Sequence, residues 1–104
     1  MEQAVIAYIP LREDPFGSER ECVEIGELAA QLQHAIDHHG VGEFDGDEFG
    51  GGRCVLFMYA PDADRLFGVI APILAAAPVA RGGFVIRRYG EAKNPDAVEV
   101  RVDL

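Results

Sequence analysis

The stretch Arg53–Ala60, Arg-Cys-Val-Leu-Phe-Met-Tyr-Ala, constrains this chain more than any other. Gly50-Gly51-Gly52 precede it and Pro61-Asp62 follow. An apolar run this short, rich in Val, Phe and Tyr and bounded by turn residues, reads as a β-strand covered on both faces. Such a strand needs a neighbour on each side and layers above and below. Ala4 to Leu11 reads the same way, since Ala4, Val5, Ile6, Ala7, Tyr8 and Ile9 are nearly continuous apolar positions. Pro10 and the segment Arg12 to Gly17 end it.

Helical signals lie between these strands. Ser18-Glu19-Arg20-Glu21 is a capping box, and Ile25, Leu28, Ala29, Leu32 and Ile36 follow at helical spacing, predicting a helix to about His39. Gly40 suits its left-handed C-cap. Val41 to Phe49 carries four acids and two glycines, which predicts a bulged edge strand, because Phe44 and Phe49 cannot share a face without a bulge. Asp62 is the expected N-cap of a second helix, with a stripe of Leu66, Phe67, Ile70, Ile73 and Leu74, an interior Pro72 that should kink it, and Pro78 to end it. Gly83 to Gly90 is a further apolar strand. Ala97 to Leu104 alternates Val98, Val100, Val102 and Leu104 with Glu99, Arg101 and Asp103, as a strand with one wet face does. The order β-α-β-β-α-β-β predicts an α+β domain over 1–104: a ferredoxin-like split βαββαβ plait with an extra C-terminal strand, two helices covering one face of an antiparallel sheet, and the first and third strands central.

The charge narrows the function. Nine Lys and Arg stand against 18 Asp and Glu, a net charge of −9. A surface this acidic repels phosphate backbones, so no nucleic-acid binding is expected, and it suits a basic protein partner. No apolar run approaches the ~20 residues that span a bilayer, and the N-terminus shows no basic region followed by an apolar core. The expected place is the cytoplasm, without a membrane. The two cysteines, Cys22 and Cys54, make no disulfide framework and are expected in the core.

His34, Asp37 and His38 have the spacing of two zinc ligands on one helix face. They lie opposite the apolar stripe with no third ligand offered, so a solvated face and no metal are expected. Counting a calcium loop from Asp45 puts Phe49 and Leu56 where an acid or amide and a bidentate Glu are required, which rejects it. Gly50-Gly51-Gly52 has no following Lys, Ser or Thr, so a hairpin loop is expected rather than a phosphate cradle. Arg81, Arg87 and Arg88 read as a solvated strand face. Tyr8, Tyr59 and Arg88 are the polar groups able to point into a cavity at the sheet face. No cofactor and no catalytic constellation is expected.

Gly42-Glu43-Phe44-Asp45-Gly46-Asp47-Glu48 resembles the Gly-Glu-Tyr-Asp-Gly-x-Glu segment of the bacterial ribonuclease E regulator B family, in which Trp usually stands at the place of Asp47. Those are small acidic proteins with a ferredoxin-like fold, and the resemblance implies action by binding the nuclease. The longer segment Gly40 to Gly52, followed by an apolar strand, is also similar to uncharacterised bacterial proteins of this length, which implies no activity. The charge and the motifs are compatible with two function classes. One is a non-enzymatic, acidic protein-binding module, a regulator or immunity-type inhibitor, whose partner surface is Glu43, Asp45, Asp47 and Glu48. The other is a small-ligand-binding or enzymatic dimeric plait. A homodimer is expected in either case, because both central strands are apolar on both faces and two helices cover only one.

Overall fold

The computed structural model describes residues 2–104. Its elements are β1 (Gln3–Pro10), α1 (Glu19–His39), β2 (Glu43–Gly50), β3 (Arg53–Ala60), α2 (Ala63–Ala76), a short 3-10 turn (Pro78–Ala80), β4 (Phe84–Arg88) and β5 (Glu99–Asp103). The domain is α+β, with two helices and one five-stranded sheet. The strand order is β2-β3-β1-β4-β5, and every neighbouring pair is antiparallel. Thus β1 is the middle strand and β3 is interior. β5 extends the sheet from β4 as a hairpin, so five strands stand where a ferredoxin-like plait has four.

Alternation assigns the faces. Val5, Ala7, Ile9, Cys54, Leu56, Met58 and Val85 point into one buried cluster with Ile25, Leu28, Leu32 and Ile36 of α1 and Leu66, Ile70 and Leu74 of α2. The residues that alternate with them along the strands, Ala4, Ile6, Tyr8, Val55, Phe57, Tyr59, Phe84 and Ile86, point to the other face. No described helix lies over that second face.

The helix ends carry their expected caps. Ser18 Oγ accepts from Glu21 N while Glu21 accepts from Ser18 N, at 3.1 Å each. Gly40, at φ 60°, ends α1 in the left-handed region that only glycine adopts without strain. Asp62 accepts from Asp64 N and Arg65 N to start α2. α2 continues through Pro72 to Ala76, and Pro78 opens the 3-10 turn beyond it.

The bulge in β2 lies between Phe44 and Gly46. Phe44 opposes Met58 and Phe49 opposes Cys54, so both phenylalanines face the core, with Asp45 as the extra residue between them. Gly46 takes φ 120°, outside the range of ordinary side chains.

Two sequence readings are corrected. Cys22 is exposed on α1 and only Cys54 belongs to the core: Cys22 sits at the margin of the apolar stripe in the first turn, with its Sγ 3.7 Å from Gly17 O. Arg87 and Arg88 are not a solvated strand face. Arg87 lies on the helix side over the Phe67 ring and against Asp64, with its Nε buried and unpartnered among the described residues. Arg88 is only 8% exposed on the opposite face.

Candidate functional site

The residues singled out by sequence converge on the uncovered sheet face and its β2 edge. Register sets them in three rows running across the strands from β2 to β5. The first is Glu43, Tyr59, Ala4, Arg88 and Glu99; the second is Gly46, Phe57, Ile6, Ile86 and Arg101; the third is Glu48, Val55, Tyr8, Phe84 and Asp103. The middle of this face is a continuous apolar band. Its aromatics are held in place: the Tyr8 and Phe84 rings stack with centroids 4.6 Å apart. Arg53 lies 4.9 Å over Tyr8 and Arg101 lies 3.8 Å over Phe84, cations above electron-rich faces.

The four acids are all exposed on an edge strand, and among the described residues none has a cationic side chain within 4.0 Å. The twofold period of β2 splits them. Glu43 and Glu48 belong to the open face, Asp47 pairs with Leu56 on the helix side, and Asp45 is the bulged residue. The acidic edge is therefore a ribbon seen from both sides of the sheet. Asp47 also reaches the buried Cys54: burial first, and then this carboxylate, push the thiol up to about 12. Cys54 is no nucleophile at neutral pH, because the thiolate is the reactive form.

Tyr8, Tyr59 and Arg88 all reach the open face, where Tyr8 and the Tyr59–Arg88 pair line separate hollows of the single chain. Tyr59 and Arg88 line a hollow of about 600 Å³ with Glu43, Asp45 and Lys93. Tyr8 lies in a separate hollow of about 510 Å³ with Glu48, Arg53 and Phe57. The strand period explains the split: Ile6 stands between Ala4, which separates Tyr59 from Arg88, and Tyr8. Arg88 Nε donates to Gly90 O at 2.8 Å, and among the described residues no carboxylate lies within 4.0 Å of its guanidinium. The alternation Phe84, Ile86, Arg88 puts it on the open face with those two half-buried apolar residues.

His34 and His38 are exposed with parallel rings 6.2 Å apart. Among the described residues no group of three or more His, Cys, Asp or Glu side chains is placed to hold a metal ion. No described helix is long and apolar enough to cross a membrane. A further hollow of about 630 Å³ separates α1 from the end of α2, lined by Leu28, Ile73 and Val79 with Glu24 and Glu27 at its rim; it contains none of the predicted residues.

The geometry thus defines a class: a small α+β domain with two helices on one face of a five-stranded antiparallel sheet, an open second face and an acidic free edge. No protein-family model matches the chain, and no curated protein or solved structure matches it either.

Proposed function

We propose that this domain is a non-enzymatic protein-binding module, a regulator or immunity-type inhibitor that engages a basic protein through the β2 edge. The observation that carries this reading is the ribbon Glu43, Asp45, Asp47 and Glu48: exposed, on an edge strand, and with no described cation within 4.0 Å. Four like charges in six residues repel one another. A basic partner relieves that repulsion and is steered to the edge by it. The domain is read as a ferredoxin-like plait with β5 added outside β4, since β2-β3-β1-β4 is the strand order expected of right-handed split βαβ crossovers.

The alternative is a small-ligand site, favoured by the hollow that Tyr59 and Arg88 share. Its four acidic neighbours, Glu2, Glu43, Asp45 and Glu91, disfavour a simple anion there.

Ribonuclease E is the first partner to test, because the resemblance through Gly42 to Glu48 implies binding to that nuclease. The immobilised domain is compared with a variant carrying Glu43→Gln, Asp45→Asn, Asp47→Asn and Glu48→Gln, against the purified nuclease and against lysate at low and high salt. Partners held by wild type, released by salt and lost from the variant support the reading. The same bound set on both baits, at both salt concentrations, removes the β2 edge from any interface.

A further inference from the structure

The hollow lined by Tyr59 and Arg88 gathers charges that the chain itself keeps apart. Glu2, Glu43, Asp45 and Glu91 face it with Arg88 and Lys93. Among the described residues none of these six forms an ion pair within 4.0 Å. Four carboxylates against two cations leave two negative charges in excess. Register explains the separation. Glu43, Tyr59, Ala4 and Arg88 occupy one row, so three strand spacings lie between the first and the last, roughly 14 Å for strands about 4.8 Å apart. Arg88 is 8% exposed, and its one hydrogen bond to a described residue runs from Nε to Gly90 O at 2.8 Å. Its Nη groups are not sealed off, because Arg87 Nε is the one fully buried side-chain polar atom without a partner among the described residues. They therefore open on the hollow as free donors, on a group whose burial makes an unanswered charge costly. The wall that carries Glu91 and Lys93 is held in place by Asn94 N donating to Glu91 O and Tyr89 N donating to Val98 O.

The charges select the ligand. A simple anion meets four carboxylates. A simple cation is repelled by Arg88 and Lys93 and leaves the buried guanidinium unanswered. A bound metal ion is not favoured, because among the described residues no three acids are placed to hold one. A ligand that carries a carboxylate and an excess of cations meets both kinds of group. We propose, on the small-ligand reading of this hollow, that it binds a basic amino acid, free or as the C-terminal residue of a basic peptide. The ligand carboxylate takes the Nη donors of Arg88, a charge-assisted and bidentate contact. The side-chain cation reaches the other end of the row, at Glu43 and Asp45. Tyr59, next to Glu43 in the row, offers its ring to the cation and to the methylenes that lead to it. The separation that prevents Arg88 and Glu43 from pairing directly is what admits a ligand charged at both ends.

Amide NMR titrations of the wild-type protein with L-lysine, L-lysinamide, cadaverine and acetate test this. Lysinamide keeps both amines and lacks the carboxylate. A hollow that only attracts cations binds lysinamide and cadaverine more tightly than lysine, whereas a carboxylate taken by Arg88 reverses that order. L-lysine should shift the amides of Tyr59, Arg88 and residues 91–93 and bind about tenfold more tightly than lysinamide, and acetate alone should shift none of them. Arg88→Met keeps an apolar stem and should weaken lysine about tenfold or more without weakening lysinamide. Glu43→Gln with Asp45→Asn should weaken both. If Arg88→Met does not fold, as circular dichroism would show, the order of lysine and lysinamide on wild type decides. The tripeptide Gly-Gly-Lys with a free C-terminus separates the two sources: binding at least as tight as lysine assigns a peptide C-terminus, and failure beside bound lysine assigns the free amino acid. Lysinamide or cadaverine binding more tightly than lysine overturns the proposal and leaves the hollow a site for cations. No shift with any probe overturns the small-ligand reading as well.

Discussion

Glu21 does more than close a capping box. Besides the Ser18 amide, its carboxylate accepts from Arg12 N at 2.7 Å and Glu13 N at 3.3 Å, and only 6% of the residue is exposed. One side chain therefore fixes the start of α1 and the chain leaving β1. Backbone amides favour the charged form, that of Arg12 most, then that of Ser18, with those of Glu13 and Asp14 adding less, and hold its pKa below the usual glutamate range against the opposing effect of burial. The sign follows from linkage. A carboxyl whose pKa is lower folded than unfolded stabilises above its unfolded value, about 4.3, and loses that contribution as pH falls through the folded value. Glu21→Gln places an amide NH2 against one of these donors. Its urea midpoint should lie below wild type at neutral pH, and the gap should close on acidification below about pH 4. A gap independent of pH would assign the loss to shape rather than charge. The cysteines give a second residue-scale expectation. Native protein at neutral pH should show one thiol, Cys22, reacting readily with a disulfide reagent, and Cys54 should react only on unfolding.

At the scale of elements, β2 depends on a close backbone approach at its entry. A Cβ added at Gly42 would collide with the Tyr59 carbonyl oxygen on β3. Backbone cannot swing aside as a flexible side chain can, so Gly42→Ala should cost about 1–3 kcal/mol in denaturant unfolding and loosen the β2–β3 pairing that presents the acids. Amide exchange in β2 should accelerate before that in β1. Within the core, Leu32 on α1 is fully buried, and Leu32→Ala should cost about 2–5 kcal/mol. The opposite face of α1 should tolerate change: zinc added at neutral pH should show no tight stoichiometric uptake, because His34 and His38 lack further ligands nearby. A sub-micromolar site lost in His38→Ala would contradict this.

For the whole molecule, electrostatics is set by an excess of nine negative charges. Few of the acids are answered: the ion pairs among the described residues are Arg20 with Glu13 and Glu24, Arg87 with Asp64, and Arg101 with Asp103. Net self-repulsion opposes the compact state, and salt screens it within a Debye length of about 10 Å at 0.1 M. The urea midpoint should therefore rise from low to physiological ionic strength. The rise should be smaller when Glu43, Asp45, Asp47 and Glu48 are neutralised together. A midpoint that falls with salt would mean that attractive pairs outweigh the excess.

Sequence by itself determined the features set by local periodicity and backbone chemistry. The bounds of α1 follow from Ser18, Glu21 and Gly40, because caps act within one turn. The bulge in β2 follows from Phe44 and Phe49, because strand side chains alternate strictly and both rings must reach the core. The two-sided apolar character of β1 and β3, and so their interior positions, was legible for the same reason. Only the tertiary structure decided what depends on neighbours distant in the chain. It turned Cys22 outward, recruited Glu21 to the backbone of residues 12–13, and divided the four acids between the two faces of the sheet. It also set Tyr8 apart from the hollow of Tyr59 and Arg88. Each of these is a matter of cross-strand register or of which segment packs on a side chain, and periodicity carries no information about register between strands tens of residues apart.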